Sequence, residues 1–157
     1  MFLAEHGDGK ASGGVDDQVS AMTEKDKTRL VTGAGRGVRK SIALLLARQG
    51  FRVAVNNVTA AATQATTKEI QQHEGHAVAV PSDVAREDYV RAMVAGIAKD
   101  FGSTEIPVNN AGVLRPTKVI AISEEEWDVV INGNLKSTFF CIKHVLPIMM
   151  AKGCGFL

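Results

Sequence analysis

At 157 residues the chain is long enough for one domain with a proper core and too short for two large ones. Its 45% hydrophobic and 22% charged content is that of an ordinary folded protein, and a formal net charge of +1 excludes the electrostatic footprint of a partner such as nucleic acid or an anionic membrane surface. The two cysteines, Cys141 and Cys154, lack zinc-ligand spacing and make a disulfide framework unexpected, so the reducing cytoplasm is the expected compartment.

Residues 1–27 are rich in Gly, Asp, Ser and Lys and carry no apolar core of signal-peptide length. They read as a disordered tail ahead of one partial domain over residues 28–157. No apolar run reaches the ~18 residues needed to cross a bilayer. Leu30, Val31 and Thr32 form a short β-rich run that enters glycines at once, the pattern of a buried strand meeting a turn. Residues 41–48 (SIALLLAR) read as a helix stopped by Gly50, and residues 51–55 as a second strand. A helix over 60–74 ends at Gly75, and residues 77–80 (AVAV) form a third strand closed by Pro81. His73 and His76 flank Gly75 at that helix end and are expected to be solvated rather than metal-ligating.

Residues 86–101 follow as a helix whose apolar stripe is Val90, Val94, Ile97 and Phe101. Ile106 and Val108 mark a fourth strand. Ser123 and Glu126 have capping-box spacing at the start of a long helix that runs through Trp127, Phe139, Phe140, Val145 and Ile148 to Met150. The order β-α-β-α-β-α-β-α, without internal repeat, implies right-handed βαβ units on a parallel sheet, an incomplete doubly wound α/β fold of about four strands with flanking helices. Ligands of such sheets sit outside the carboxyl ends of the strands.

The most informative segment runs from Thr32 through Gly33, Ala34, Gly35, Arg36, Gly37 and Val38 to Arg39. Placed between a strand and a helix, its glycines let the backbone approach a pyrophosphate that a helix N-terminus can receive. The turn resembles the TGxxxGxG fingerprint of the short-chain dehydrogenases/reductases, with Thr32, Gly33 and Gly37 in place and Arg39 where the last glycine belongs. Further segments are similar to that family in the same order. Asp83-Val84 resembles the adenine-contacting segment, and an Asp there equally suits capping the next helix. Asn109-Asn110-Ala111-Gly112 resembles the family's NNAG, whose Ala-Gly backbone lies beside the nucleotide ribose. Asn134 resembles the Asn of the catalytic tetrad, which helps organise a proton-relay water, and Gly133 beside it is expected to kink the helix.

The resemblance implies a Rossmann-like fold, a nicotinamide dinucleotide cofactor and oxidoreductase chemistry, with Thr32, Gly33, Arg36, Gly37, Val38, Asn57, Asp83, Val84, Asn110, Ala111 and Gly112 as cofactor-binding residues. The second strand ends in Asn56 and Asn57 with no carboxylate to hold a ribose 2′-OH, and Arg36, with Arg52 in reserve, suits a 2′-phosphate. The cofactor expected is therefore NADP rather than NAD, its binding weakened by Arg39. Pro107, inside the fourth strand, is a second break with local rules.

The family's acid–base chemistry needs a Ser and a Tyr followed four residues later by Lys, all beyond Asn134. The single tyrosine, Tyr89, precedes the NNAG segment and has Met93 at the lysine spacing. The expectation is a chain truncated before its Ser, Tyr and Lys and inactive alone, with Asn134 as the sole tetrad member. Three functional readings stand: a reductase or dehydrogenase of this family, of which a 3-oxoacyl reductase is one type; a noncatalytic nucleotide-binding or assembly module that self-associates through the helix over 123–150; and a product without function.

Overall fold

A computed structural model of the chain describes residues 27–102 and 106–153. The tail expected over 1–27 lies, except for Lys27, outside the described residues. Four strands, β1 (Thr28–Val31), β2 (Arg52–Asn57), β3 (Ala77–Pro81) and β4 (Ile106–Val108), form one parallel sheet in the order β3-β2-β1-β4. The register pairs Val31 with both Val55 and Val108, and Asn57 with Pro81.

Alternation along the strands sends successive side chains to opposite faces, and both faces are covered. Leu30 and Ala54 meet α3 (Glu87–Phe101) and α5 (Ser137–Lys152) through Val90, Val94, Ile97, Phe140 and Val145. Val31, Val53 and Val55 meet α1 (Gly37–Arg48) and α2 (Ala60–Gln72) through Ala43, Ala47 and Ile70. This is the Rossmann-like doubly wound arrangement expected from the pattern. Cys141 is free and buried in the first cluster, and burial pushes its thiol up to about 11, which leaves it a packing group.

Three local expectations are corrected. The helix before Gly75 ends at Gln72, and the left-handed residue is Glu74, with φ 60°. Gly75 is needed for proximity instead: a Cβ there would stand 2.6 Å from Ile70 Cγ2. Pro107 breaks no rule in its setting. Val108 accepts from Thr32 N at 3.1 Å, so its backbone faces β1 and that of Pro107 faces away. Among the described residues β4 is an edge strand, where proline is tolerated.

The expected long helix is α4 (Glu124–Ile131), a π turn (Asn132–Lys136) and α5 in succession. The capping box is complete, with Glu126 N donating to Ser123 Oγ and Ser123 N to Glu126 Oε2, both at 3.2 Å. The kink expected at Gly133 takes the form of the π turn, whose backbone Ser137 and Thr138 support by donating hydroxyls to the Gly133 and Asn134 carbonyls at 2.8 Å each.

Candidate functional site

At the carboxyl ends of the strands lies a cleft of about 560 Å³. Its floor is the glycine turn between β1 and α1. Gly33 has φ +69°, a conformation that favours glycine, and Gly37 has φ +60°. The first turn of α1 has no side-chain cap, since Arg36 at the N-cap is extended and makes no capping bond. Its free N–H groups and the positive end of the helix dipole are thus open to an anion.

Thr32 is buried beneath the floor rather than in the wall. Its hydroxyl donates to Val108 O at 3.2 Å and accepts from the amides of Asn110 at 3.0 Å and Ala111 at 2.9 Å, tying the end of β1 to the NNAG segment. One hydroxyl so fixes the spacing of two segments 78 residues apart in sequence.

Two asparagines brace the opposite walls. Asn56 is 1% exposed, accepts from Gly33 N at 3.4 Å, and donates to Val80 O at 2.9 Å and Ser82 O at 3.1 Å. Asn57, the next residue on the strand, faces the cleft and accepts from Thr59 N at 3.0 Å. On the β4 side, Asn134 accepts from Val113 N at 3.0 Å and donates to Val113 O and Val130 O, each at 2.9 Å. Its amide is fully engaged in holding the loop after NNAG against the π turn. Gly112 makes that docking possible, because a Cβ there would stand 2.6 Å from Asn134 Oδ1.

Of the residues expected at the site, Gly33, Arg36, Asn57, Asp83, Val84, Ala111 and Gly112 line the cleft together. Gly37 and Val38 are not among the lining residues and are exposed at the start of α1, Val38 with 74% of its surface free, while Asn110 and Asn134 support the cleft from behind. Asp83 lines the cleft, and the capping expected of it is corrected: the N-cap of α3 is Arg86, without a side-chain cap bond, and Asp83 Oδ1 instead accepts from Ala85 N at 2.9 Å in the turn before α3. Arg52 is corrected. It opens β2, five residues before Asn57, which puts it roughly 16 Å away at the other end of the strand. Val58, Thr59, Ala62 and Ser82 also line the cleft and carried no sequence signal beyond following a strand.

Arg39 lines the cleft as well. Its Cδ and Nη1 lie 2.9 and 3.0 Å from where a Cβ on Gly33 would stand, and its Nη2 donates to Gly112 O at 3.3 Å. Tyr89 borders a separate hollow with Met93, partly exposed, with the Arg86 guanidinium 4.1 Å above its ring. Among the described residues no three His, Cys, Asp or Glu side chains gather as a metal site, and no helix is long and apolar enough to cross a membrane.

A parallel sheet with an uncapped glycine turn beneath a cleft at its carboxyl edge defines the class: a Rossmann-like α/β nucleotide-binding domain. The comparisons place it more narrowly. A family model described as short chain dehydrogenase matches residues 27–156. The 3-oxoacyl-acyl-carrier-protein reductase FabG of Staphylococcus epidermidis is 40% identical over 131 residues, covering 83% of this chain and 54% of that protein. Its counterpart in Staphylococcus aureus is 41% identical over 130 residues, covering 82% and 53%. A short chain dehydrogenase from Mycobacterium avium superposes with a TM-score of 0.78 at 32% identity, over 82% of this chain and 48% of that one. A putative short-chain alcohol dehydrogenase from Sinorhizobium meliloti does so at 0.76 and 34%, over 80% and 50%.

This chain belongs to the short chain dehydrogenase family. It spans about half the length of the curated relatives it matches.

Proposed function

We propose that the chain is the cofactor-binding part of an NADP-dependent oxidoreductase acting on a carbonyl/alcohol pair, of the 3-oxoacyl reductase type named for its relatives. The observation that carries this reading is the cleft itself, where Gly33, Arg36, Asn57, Asp83 and Gly112 meet above the uncapped first turn of α1. The residues suit a dinucleotide: bare backbone N–H groups for phosphate, amide and carboxylate acceptors for sugar and base, and the Ala111-Gly112 backbone beside them, where Arg39 also reaches. The absence of a carboxylate at the end of β2 and the exposed Arg36 support NADP over NAD.

The bound nicotinamide would supply the hydride. The chain's own residues bind and orient it, with Thr32 and Asn134 as positioning residues for the cleft walls. Reduction also places a proton on the carbonyl oxygen, and among the described residues lining the cleft only Arg36, Arg39 and Asp83 are titratable. None is a match for the family's Tyr and Lys, so turnover by residues 27–153 alone is not expected. The free, buried thiol of Cys141 supports a reducing, cytoplasmic setting. Titration of the chain with NADPH and NADH, followed by nicotinamide fluorescence, tests the reading: NADPH should bind more tightly, and no binding of either at millimolar concentration would overturn it.

A second reading is favoured by α4, α5 and the π turn between them, where Trp127, Phe139, Met150 and Leu135 are 56, 55, 73 and 67% exposed. Such a surface supports self-association through this pair of helices. Light scattering on the purified chain should then give a mass above the monomer.

A further inference from the structure

The sheet order β3-β2-β1-β4 places the topological switch between β1 and β4, since the chain leaves β1 for β2 on one side and returns from β3 to β4 on the other. A dinucleotide lying along the carboxyl edge has to cross this crevice. Arg39, in the first turn of α1, reaches across it from the Gly33 side to Gly112. Its side chain lies along the face that Gly33 leaves bare, and its guanidinium ends on Gly112 O. It lines one continuous cleft with Asn57, Ser82 and Asp83 on the β2–β3 side and Ala111, Gly112 and Val113 on the β4 side, and it is fastened to the β4 side through Gly112 O.

We propose that Arg39 is a latch across the crevice, so that the chain takes adenosine phosphates on the β2–β3 side freely and a full dinucleotide only by displacing the latch. The inference rests on the reading of the cleft as a nucleotide site and names which part of the nucleotide it selects. Two observations give the latch its character. Among the described residues Arg39 meets no carboxylate, and its bond to an uncharged carbonyl is long, so it is held by packing along Gly33 more than by charge. Arg36, which lines the same cleft from the N-cap, is exposed and leaves a cation available to a phosphate without any movement of Arg39.

Calorimetric titration of the full chain and of Arg39→Ala with adenosine 2′,5′-bisphosphate and with NADPH tests this. Alanine is a good helix former, so α1 should persist, and circular dichroism melting checks it. The expected result is bisphosphate binding at least tenfold tighter than NADPH in the wild type, with R39A tightening NADPH tenfold or more and leaving the bisphosphate unchanged. Equal NADPH affinity in the two proteins would overturn the latch while leaving the nucleotide site standing. So would weaker NADPH binding in R39A, which would make Arg39 a phosphate clamp. If neither ligand bound either protein, the latch and the nucleotide site would fall together.

Discussion

The two walls of the cleft are each braced by one asparagine, and the braces differ in what surrounds them. Asn56 and Asn134 both accept from one backbone amide and donate to two backbone carbonyls. Asn56 does so at 1% exposure, beside the Met93 sulfur at 3.4 Å. Asn134 does so from a partly exposed π turn, against the loop that follows Gly112. The same inventory of bonds therefore has two meanings. Asn56 is itself shut off from water and holds the buried Gly33 amide, so its brace is costlier to lose; Asn134 is partly exposed, so its brace chiefly sets loop position.

The sharpest way to break this contrast is Asn56→Ala. Orphaning the buried Gly33 amide and the part-buried Val80 and Ser82 carbonyls should destabilise the fold by about 3 kcal/mol, near 10 °C in Tm, measured by thermal denaturation. A loss equal to that of Asn134→Ala would erase the distinction. Asn134→Ala should be milder, about 1.5 kcal/mol. Its signature is local: hydrogen exchange at the Val113 amide should accelerate while amides of β1 and β2 keep their protection. Ser123→Ala removes half of the capping box and should lower stability by about 1 kcal/mol in urea unfolding, with fraying confined to α4.

The smallest effect belongs to the exposed link between α3 and α5. Lys143 Nζ donates to Glu87 Oε1 at 2.6 Å and His144 Nε2 lies 3.2 Å from the same oxygen. The Lys143 hydrogen bond, with His144 adding to it, holds the Glu87 carboxyl below its usual value of 4.5. A carboxyl depressed in the folded state contributes stability that is present above its unfolded value and is lost as pH falls through the folded one. Glu87→Gln should therefore lower Tm slightly at neutral pH, by the little a screened surface pair contributes, and converge on the wild type as pH falls below the folded carboxyl value, which flattens the acid side of a plot of Tm against pH.

Much of the architecture was legible from residue order. The helix stripes Val90–Val94–Ile97 and the short apolar runs between them specify a parallel α/β sheet because a strand buried on both faces and a half-buried helix need different periods. The capping box at Ser123 and the stop at Gly50 were local signals read by local geometry. The site was legible where it depended on backbone, at Gly33, Ala111 and Gly112. It was less so where it depended on side chains. Asn56 and Asn57 are adjacent and identical, and only the pleat decides that one is buried in the core and the other faces the cleft.

What the amino-acid sequence by itself determined is the family, the order of the elements and the position of the glycine turn, since these rest on periodicity and on residues next to one another in the chain. Tertiary structure alone decided that Arg52 stands at the far end of its strand, that Pro107 turns its missing donor away from β1, and that Arg39 reaches Gly112. Each of these depends on which residue, distant in sequence, lies across a gap of a few ångströms. Spacing along a chain carries no record of that distance until the sheet has closed it.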